Sequence, residues 1–114
     1  MLKNIEENEF EAMLKANVIV LVDFWAQWCA PCKTFGKVYE EVAQAYPNLF
    51  FAKVNVEEQT ALAQEFNIRT IPYLMIFKQE ILIYSQAGSL PSSVLTDLVE
   101  QALKVDVTEI RENL

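Results

Sequence analysis

Five consecutive apolar residues, Val18–Val22, form the first uninterrupted hydrophobic run of the chain. The run is rich in β-branched residues and follows polar chain, so the pattern predicts a buried strand. A single acid, Asp23, interrupts it, and Phe24, Trp25 and Trp28 follow. Upstream, Phe10, Met13 and Leu14 recur at helical spacing behind Asn8. This predicts a short helix capped by Asn8 and running to about Ala16, with Asn17 turning the chain into the strand. After Cys32 the period changes. Phe35, Val38, Tyr39, Val42, Ala43 and Tyr46 form a helical stripe that ends before Pro47. Pro31 suits the first turn of that helix, where its missing N–H costs nothing. Gly36 stands in its interior at a cost of up to about 1 kcal/mol relative to alanine.

Leu49–Val56 predicts a second apolar strand with Lys53 as its one charge. A helix is expected over residues 57–66, with Glu57 and Glu58 favourable near its start and Asn67 as terminator. Ile71-Pro72 leads into a third strand, Tyr73–Phe77. Lys78-Gln79-Glu80 separates it from Ile81–Tyr84, so the two runs predict an antiparallel hairpin without the usual turn glycine or asparagine. Gly88 follows the last strand, and Pro91 opens a final helix whose Val94, Leu95, Leu98, Val99 and Ala102 share a face. Residues 104–114 are expected to continue that helix or fray.

Helices connect the first strands, which favours parallel pairing with right-handed crossovers, and the hairpin adds antiparallel strands. The expected class is α/β: a central mixed sheet flanked by helices on both faces. With 114 residues and 53% apolar content, one domain spanning residues 1–114 is expected, without internal repeat or linker.

Charge and cysteine usage narrow the chemistry. Sixteen acids against nine bases give a net charge of −7, with no basic footprint for nucleic acid. No apolar run reaches the length of a membrane span. The N-terminus, MLKNIEENEF, is polar and acidic, unlike a signal peptide, and a cytoplasmic setting is expected. The chain has no histidine, which excludes histidine catalysis and histidine metal ligands. Cys29 and Cys32 are its only cysteines. A zinc or iron–sulfur site would need carboxylates or a second subunit, so neither metal nor bound cofactor is expected.

Cys-x-x-Cys at a strand-to-helix junction places two sulfurs one helical turn apart, within bonding reach. Free N–H groups and the helix dipole favour a thiolate on Cys29, and Cys32 should be the less exposed thiol. Cys29 then attacks a partner disulfide, and Cys32 resolves the mixed disulfide. Ala30 and Pro31 tune the redox balance of the ring. Asp23, after a buried run, should have a raised pKa and is placed to take the proton of Cys32, directly or through a water. The alternatives are an acid in solvent at the strand's mouth, or one capping a neighbouring amide. Lys53 is either its charge partner or a side chain reaching solvent from a sheet edge. Trp25 and Trp28 bracket the approach to Cys29, one packing beneath the loop and the other offered to a partner, the alternative being two core aromatics. Thr70-Ile71-Pro72-Tyr73 opens a strand. A cis Pro72 would expose the Ile71 backbone to an extended substrate strand, although a trans edge proline is commoner.

Asp23-Phe24-Trp25-Ala26, Trp28-Cys29-Ala30-Pro31-Cys32-Lys33, Phe51-Ala52-Lys53-Val54-Asn55, Ile68-Arg69-Thr70-Ile71-Pro72, Phe77-Lys78 and Gly88 together make residues 8–105 resemble the thioredoxin family. The resemblance implies a thioredoxin fold and protein-disulfide reduction, with Cys29 as nucleophile, Cys32 as resolving thiol, Asp23 as buried acid and Lys53 as its neighbour. It implies that Pro72 is cis and faces the disulfide. The implied substrate-contacting set is Trp28, Ala30, Pro31, Ile71, Pro72, Tyr73 and Gly88. Partners implied are a thioredoxin reductase and disulfide-containing clients, with the protein acting as a monomer. Other readings of the same residues are a thiol oxidant or isomerase, and a non-catalytic binding module. Four positions depart from the family pattern: Ala30 for glycine, Lys37 for a helix-kinking proline, Tyr73 for threonine, and Lys78-Gln79-Glu80 for a glycine-containing turn.

Overall fold

In the computed structural model, which describes residues 1–113, five strands form one sheet in the order β1-β3-β2-β4-β5. They are β1 (Leu2–Asn4), β2 (Ile19–Trp25), β3 (Phe50–Asn55), β4 (Tyr73–Lys78) and β5 (Ile81–Ala87). The helices are α1 (Phe10–Ala16), α2 (Ala30–Ala45), α3 (Thr60–Glu65), α4 (Ser92–Lys104) and α5 (Thr108–Glu112). β1, β3 and β2 run parallel, while β4 is antiparallel to β2 and β5 to β4. This is the expected mixed sheet flanked by helices.

Alternation along β2 builds two cores. Ile19 and Leu21 face a layer with Phe35, Tyr39, Val42 and Ala43 of α2 and Leu95, Val99 and Ala102 of α4. Val20, Val22 and Phe24 face the other way, toward Phe10 and Met13 of α1 and Leu62 of α3. The period of two thus sorts one strand into two environments.

Several boundaries differ from the sequence pattern. β1 was not expected, because its three residues are all exposed and carry no alternation. It forms by pairing: Phe51 N–H donates to the Met1 carbonyl at 2.7 Å, and Ile5 N–H to the Lys53 carbonyl at 2.8 Å. Asn8 does not cap α1; it lies in a 3-10 turn, Glu7–Glu9, that Glu9 braces by accepting the Glu6 N–H at 3.1 Å. β2 continues through Asp23 to Trp25, while Val18 is outside it and exposed. Glu57 and Glu58 precede α3 rather than start it, because the Asn55 side chain accepts both of their amides and holds a turn there. Asn67 terminates that region at φ 55°, as expected.

The β4–β5 hairpin is present, and Gln79 and Glu80 adopt φ of 50° and 69° without glycine. β5 extends to Ala87, past Tyr84. Pro91 is the N-cap of α4 rather than its first residue, and Val94 is exposed while Leu95, Val99 and Ala102 are buried. From Val105 to Asn113 the chain neither continues α4 nor frays; Leu114, the last residue of the expected stretch, lies outside the described residues. Lys78 Nζ donates to the carbonyls of Ala102, Leu103 and Val105, closing the helix end, and α5 follows with Arg111 donating to the Gln79 carbonyl. No helix among the described residues is long and apolar enough to cross a membrane.

Candidate functional site

β2 and α2 meet at the cysteine pair. Cys29 is the N-cap of α2 in an extended conformation, and Pro31 occupies its first turn. Cys32 N–H donates to Cys29 Sγ at 3.2 Å. A helix start leaves amides without intrahelical acceptors, and here one of them is aimed at the sulfur that attack chemistry needs as thiolate. Cys29 and Cys32 are joined as a disulfide with their Cα atoms 5.2 Å apart, within the range such a bond requires. The two residues are 4% and 3% exposed, so in this oxidised form the expected difference in exposure is small. Ala26, Trp25, Val56 and Ile71 pack around them.

A second segment closes over the sulfurs. The Ile71-Pro72 bond is cis, and the Ile71 carbonyl oxygen lies 3.8 Å from Cys29 Sγ. Gly88 N–H donates to the Pro72 carbonyl at 2.8 Å, tying the end of β5 to this turn. Gly88 has φ 115°, a conformation that side-chain-bearing residues rarely adopt, which is the reason for glycine there. Trp28 stands beside the cysteines 69% exposed.

Asp23 lies on the same face of β2 as Ile19 and Leu21, the face covered by α2. In register, Lys53 of β3 is on one side of it and Leu74 of β4 on the other. Its side chain is fully buried, and neither carboxyl oxygen has a hydrogen-bond partner. Burial disfavours the charged form and pushes its pKa from 3.8 up to about 7; the Lys53 charge opposes the shift but does not cancel it. Of the alternatives for this acid, exposure to solvent and amide capping are therefore both absent. Lys53 neither ion-pairs with Asp23 nor simply extends into solvent. Its Nζ sits 5.0 Å from the centroid of the Trp25 ring. The Trp25 Nε1 is itself buried without a partner.

The remaining sequence candidates fall around this centre. Ala30 and Pro31 are exposed on the rim. Tyr73 is partly buried, its ring against Phe24 at 6.5 Å and its hydroxyl 2.6 Å from Ser85 Oγ, so it is built into the face opposite Asp23. Lys37 is exposed on α2, which runs unbroken from Ala30 to Ala45. Two neighbours of the site were not singled out from sequence. Tyr39 read as an apolar stripe position, yet its hydroxyl is buried and donates to the Ala52 carbonyl at 2.8 Å. Burial, and then the charge of Asp23, raise its pKa. Val56 packs on the cysteines from the end of β3. Nothing in their spacing marks either one as a neighbour of the site, because the seating of α2 brings Tyr39 there and the pairing of β3 with β2 brings Val56. Among the described residues no cluster of three or more Cys, Asp or Glu side chains is placed to hold a metal ion.

A thioredoxin family model matches residues 1–101. A Streptomyces coelicolor protein bearing a thioredoxin name is 46% identical over 108 residues, covering 95% of this chain and 81% of that protein. Thioredoxin 1 of Synechococcus elongatus is 37% identical over 94 residues, covering 82% and 88%. Among solved structures, a single-residue mutant of a thioredoxin from Halobacterium salinarum superposes with a TM-score of 0.84 at 28% identity, covering 92% of this chain and 93% of that one. With the family match spanning most of its length and its two cysteines joined at the tip of α2, the chain belongs to the thioredoxin family and is a thiol–disulfide oxidoreductase.

Proposed function

We propose that the protein reduces disulfides of client proteins and is itself re-reduced by a thioredoxin reductase. The observation that carries this reading is a bonded cysteine pair at a helix start with a fully buried, unpartnered carboxyl beneath the same helix. In the reduced protein, the Cys29 thiolate attacks one sulfur of a client disulfide. The client S–S bond breaks, one client sulfur leaves as thiolate, and a mixed disulfide forms. Asp23 accepts the proton of the Cys32 thiol. The Cys32 thiolate then attacks Cys29 Sγ, and the second client sulfur leaves as thiolate. Two electrons pass to the client, the Cys29–Cys32 disulfide remains, and the reductase returns it to the dithiol.

Asp23 suits the proton step because its pKa near 7 lets it hold or release a proton at working pH. Exposed Trp28 and partly exposed Ile71 supply an apolar landing surface backed by buried Pro72, which Gly88 ties in place, and the Ile71 carbonyl beside Cys29 is available to an extended client segment. Tyr73 backs this surface through Ser85. Ala30 and Pro31 set the stiffness of the ring and hence its potential, where about 30 mV changes the two-electron equilibrium tenfold. Both sulfurs and the acid come from one chain, so the scheme runs in a monomer, and it requires a reducing compartment such as the cytoplasm.

Insulin reduction with dithiothreitol as donor, run beside a redox titration against glutathione, tests the reading. Turnover with a potential near that of strong dithiol reductants, about −270 mV, is the expected result. A potential as high as about −120 mV makes the protein an oxidant instead, and unaltered cellular function after both cysteines are changed to serine makes it a binding module.

A further inference from the structure

Gly36 occupies the middle of α2, where glycine is the least favourable residue after proline. Its backbone does not require it, since Gly88 is the one glycine with positive φ. What the position lacks is a side chain, and the space has one neighbour: a Cβ built at Gly36 meets Lys53 Nζ at 3.7 Å and nothing else within 4 Å. The same Nζ lies 5.0 Å from the Trp25 ring centroid. The ammonium is thus held between the helix backbone and an aromatic ring, on the strand position in register with Asp23.

We propose that position 36 acts as a positioning site that must stay small: the room left there beside α2 lets the Lys53 ammonium lie against Trp25, and this placement sets how strongly Lys53 acts on the Asp23 carboxyl. Other groups facing Asp23 do not substitute for it. From α2 the phenol of Tyr39 feels the Asp23 charge, and its hydroxyl is committed to the Ala52 carbonyl. From β4 comes Leu74, which is apolar and in register with it. Lys53 is the one opposing charge acting on this acid. Bulk at residue 36 drives the ammonium out toward solvent, away from a carboxyl that is sealed from it.

The inference rests on the reading of Asp23 as the proton acceptor, but its test needs no turnover. The Asp23 carboxyl is titrated by 13C NMR in the oxidised protein. Gly36→Val is expected to raise the midpoint by about 0.5–1 unit, a fraction of what an adjacent opposite charge supplies. Gly36→Leu, a better helix former, gives the same rise at less cost to α2. Gly36→Ala, whose Cβ makes only ordinary contact, keeps the wild-type midpoint. In a Lys53→Met background neither Gly36→Val nor Gly36→Leu moves the midpoint further. An unchanged midpoint in the Val and Leu variants, or an equal rise in the absence of the lysine, overturns the inference. A failure of Asp23 to serve Cys32 is seen separately, as a rate of mixed-disulfide resolution that does not follow the Asp23 midpoint.

Discussion

The two faces of β2 are made by alternate residues of one strand, yet they are built to different ends. Toward α1 and α3 every buried residue of the face is apolar: Val20 and Val22 pack in one layer with Phe24, Phe10, Phe66 and Phe77, whose rings meet edge-to-face or tilted at 5.4 to 6.3 Å. Toward α2 and α4 the same apolar layer ends at Asp23, with two buried oxygens that nothing satisfies and a lysine held off to one side. The first face stabilises; on the second, burial of an unpartnered acid costs stability and brings its pKa up to about 7, as the proposed proton step requires. A buried, unpaired carboxyl is expensive unless it is protonated, and that expense is what ties its pKa to working pH.

Four substitutions separate the faces, in order of expected effect. Cys29→Ser at the tip of the working face should lower insulin reduction by about 10³-fold or more, as loss of a nucleophile does. Cys32→Ser should instead accumulate the mixed disulfide, visible by non-reducing electrophoresis. On the stabilising face, Phe24→Ala should cost about 3–5 kcal/mol in urea unfolding, while the pH dependence of stability keeps its shape. If that shape changes, the faces are not independent.

Asp23→Asn tests the cost of the poised acid. Burial raises its pKa from 3.8 to about 7, so the folded chain keeps a proton that the unfolded chain sheds. The stability this group contributes is fully present below pH 3.8, is lost as pH rises toward 7, and stays level above that. The wild-type protein should therefore lose on the order of 4 kcal/mol between about pH 4 and pH 8 that the variant retains. Equal pH slopes for the two proteins would mean the acid is not held protonated by the fold. Outside both faces, Glu80 carries a φ of 69° in the β4–β5 turn. Glu80→Gly should raise stability by about 0.5–1 kcal/mol, read as a small increase in the urea midpoint with unchanged activity.

Local periodicity determined most of the elements by itself: the apolar run lies in a strand from Ile19 onward, the stripe from Phe35 to Ala43 in a helix, and the break at Gln79-Glu80 is a hairpin turn. The cysteine spacing likewise placed two sulfurs one turn apart, because the helix rise is a property of neighbouring residues. Tertiary structure decided what no neighbour encodes. β1 has no alternation to read and exists only as a pairing partner of β3. The short turn before α3 is held by the Asn55 side chain, and the end of α4 by Lys78 reaching across from β4. Asp23, Lys53, Trp25 and Gly36 lie on three elements, and only the β2–β3 register and the seating of α2 bring them within one electrostatic neighbourhood. Pattern reads what depends on nearby chain; charge and space across elements are decided by packing.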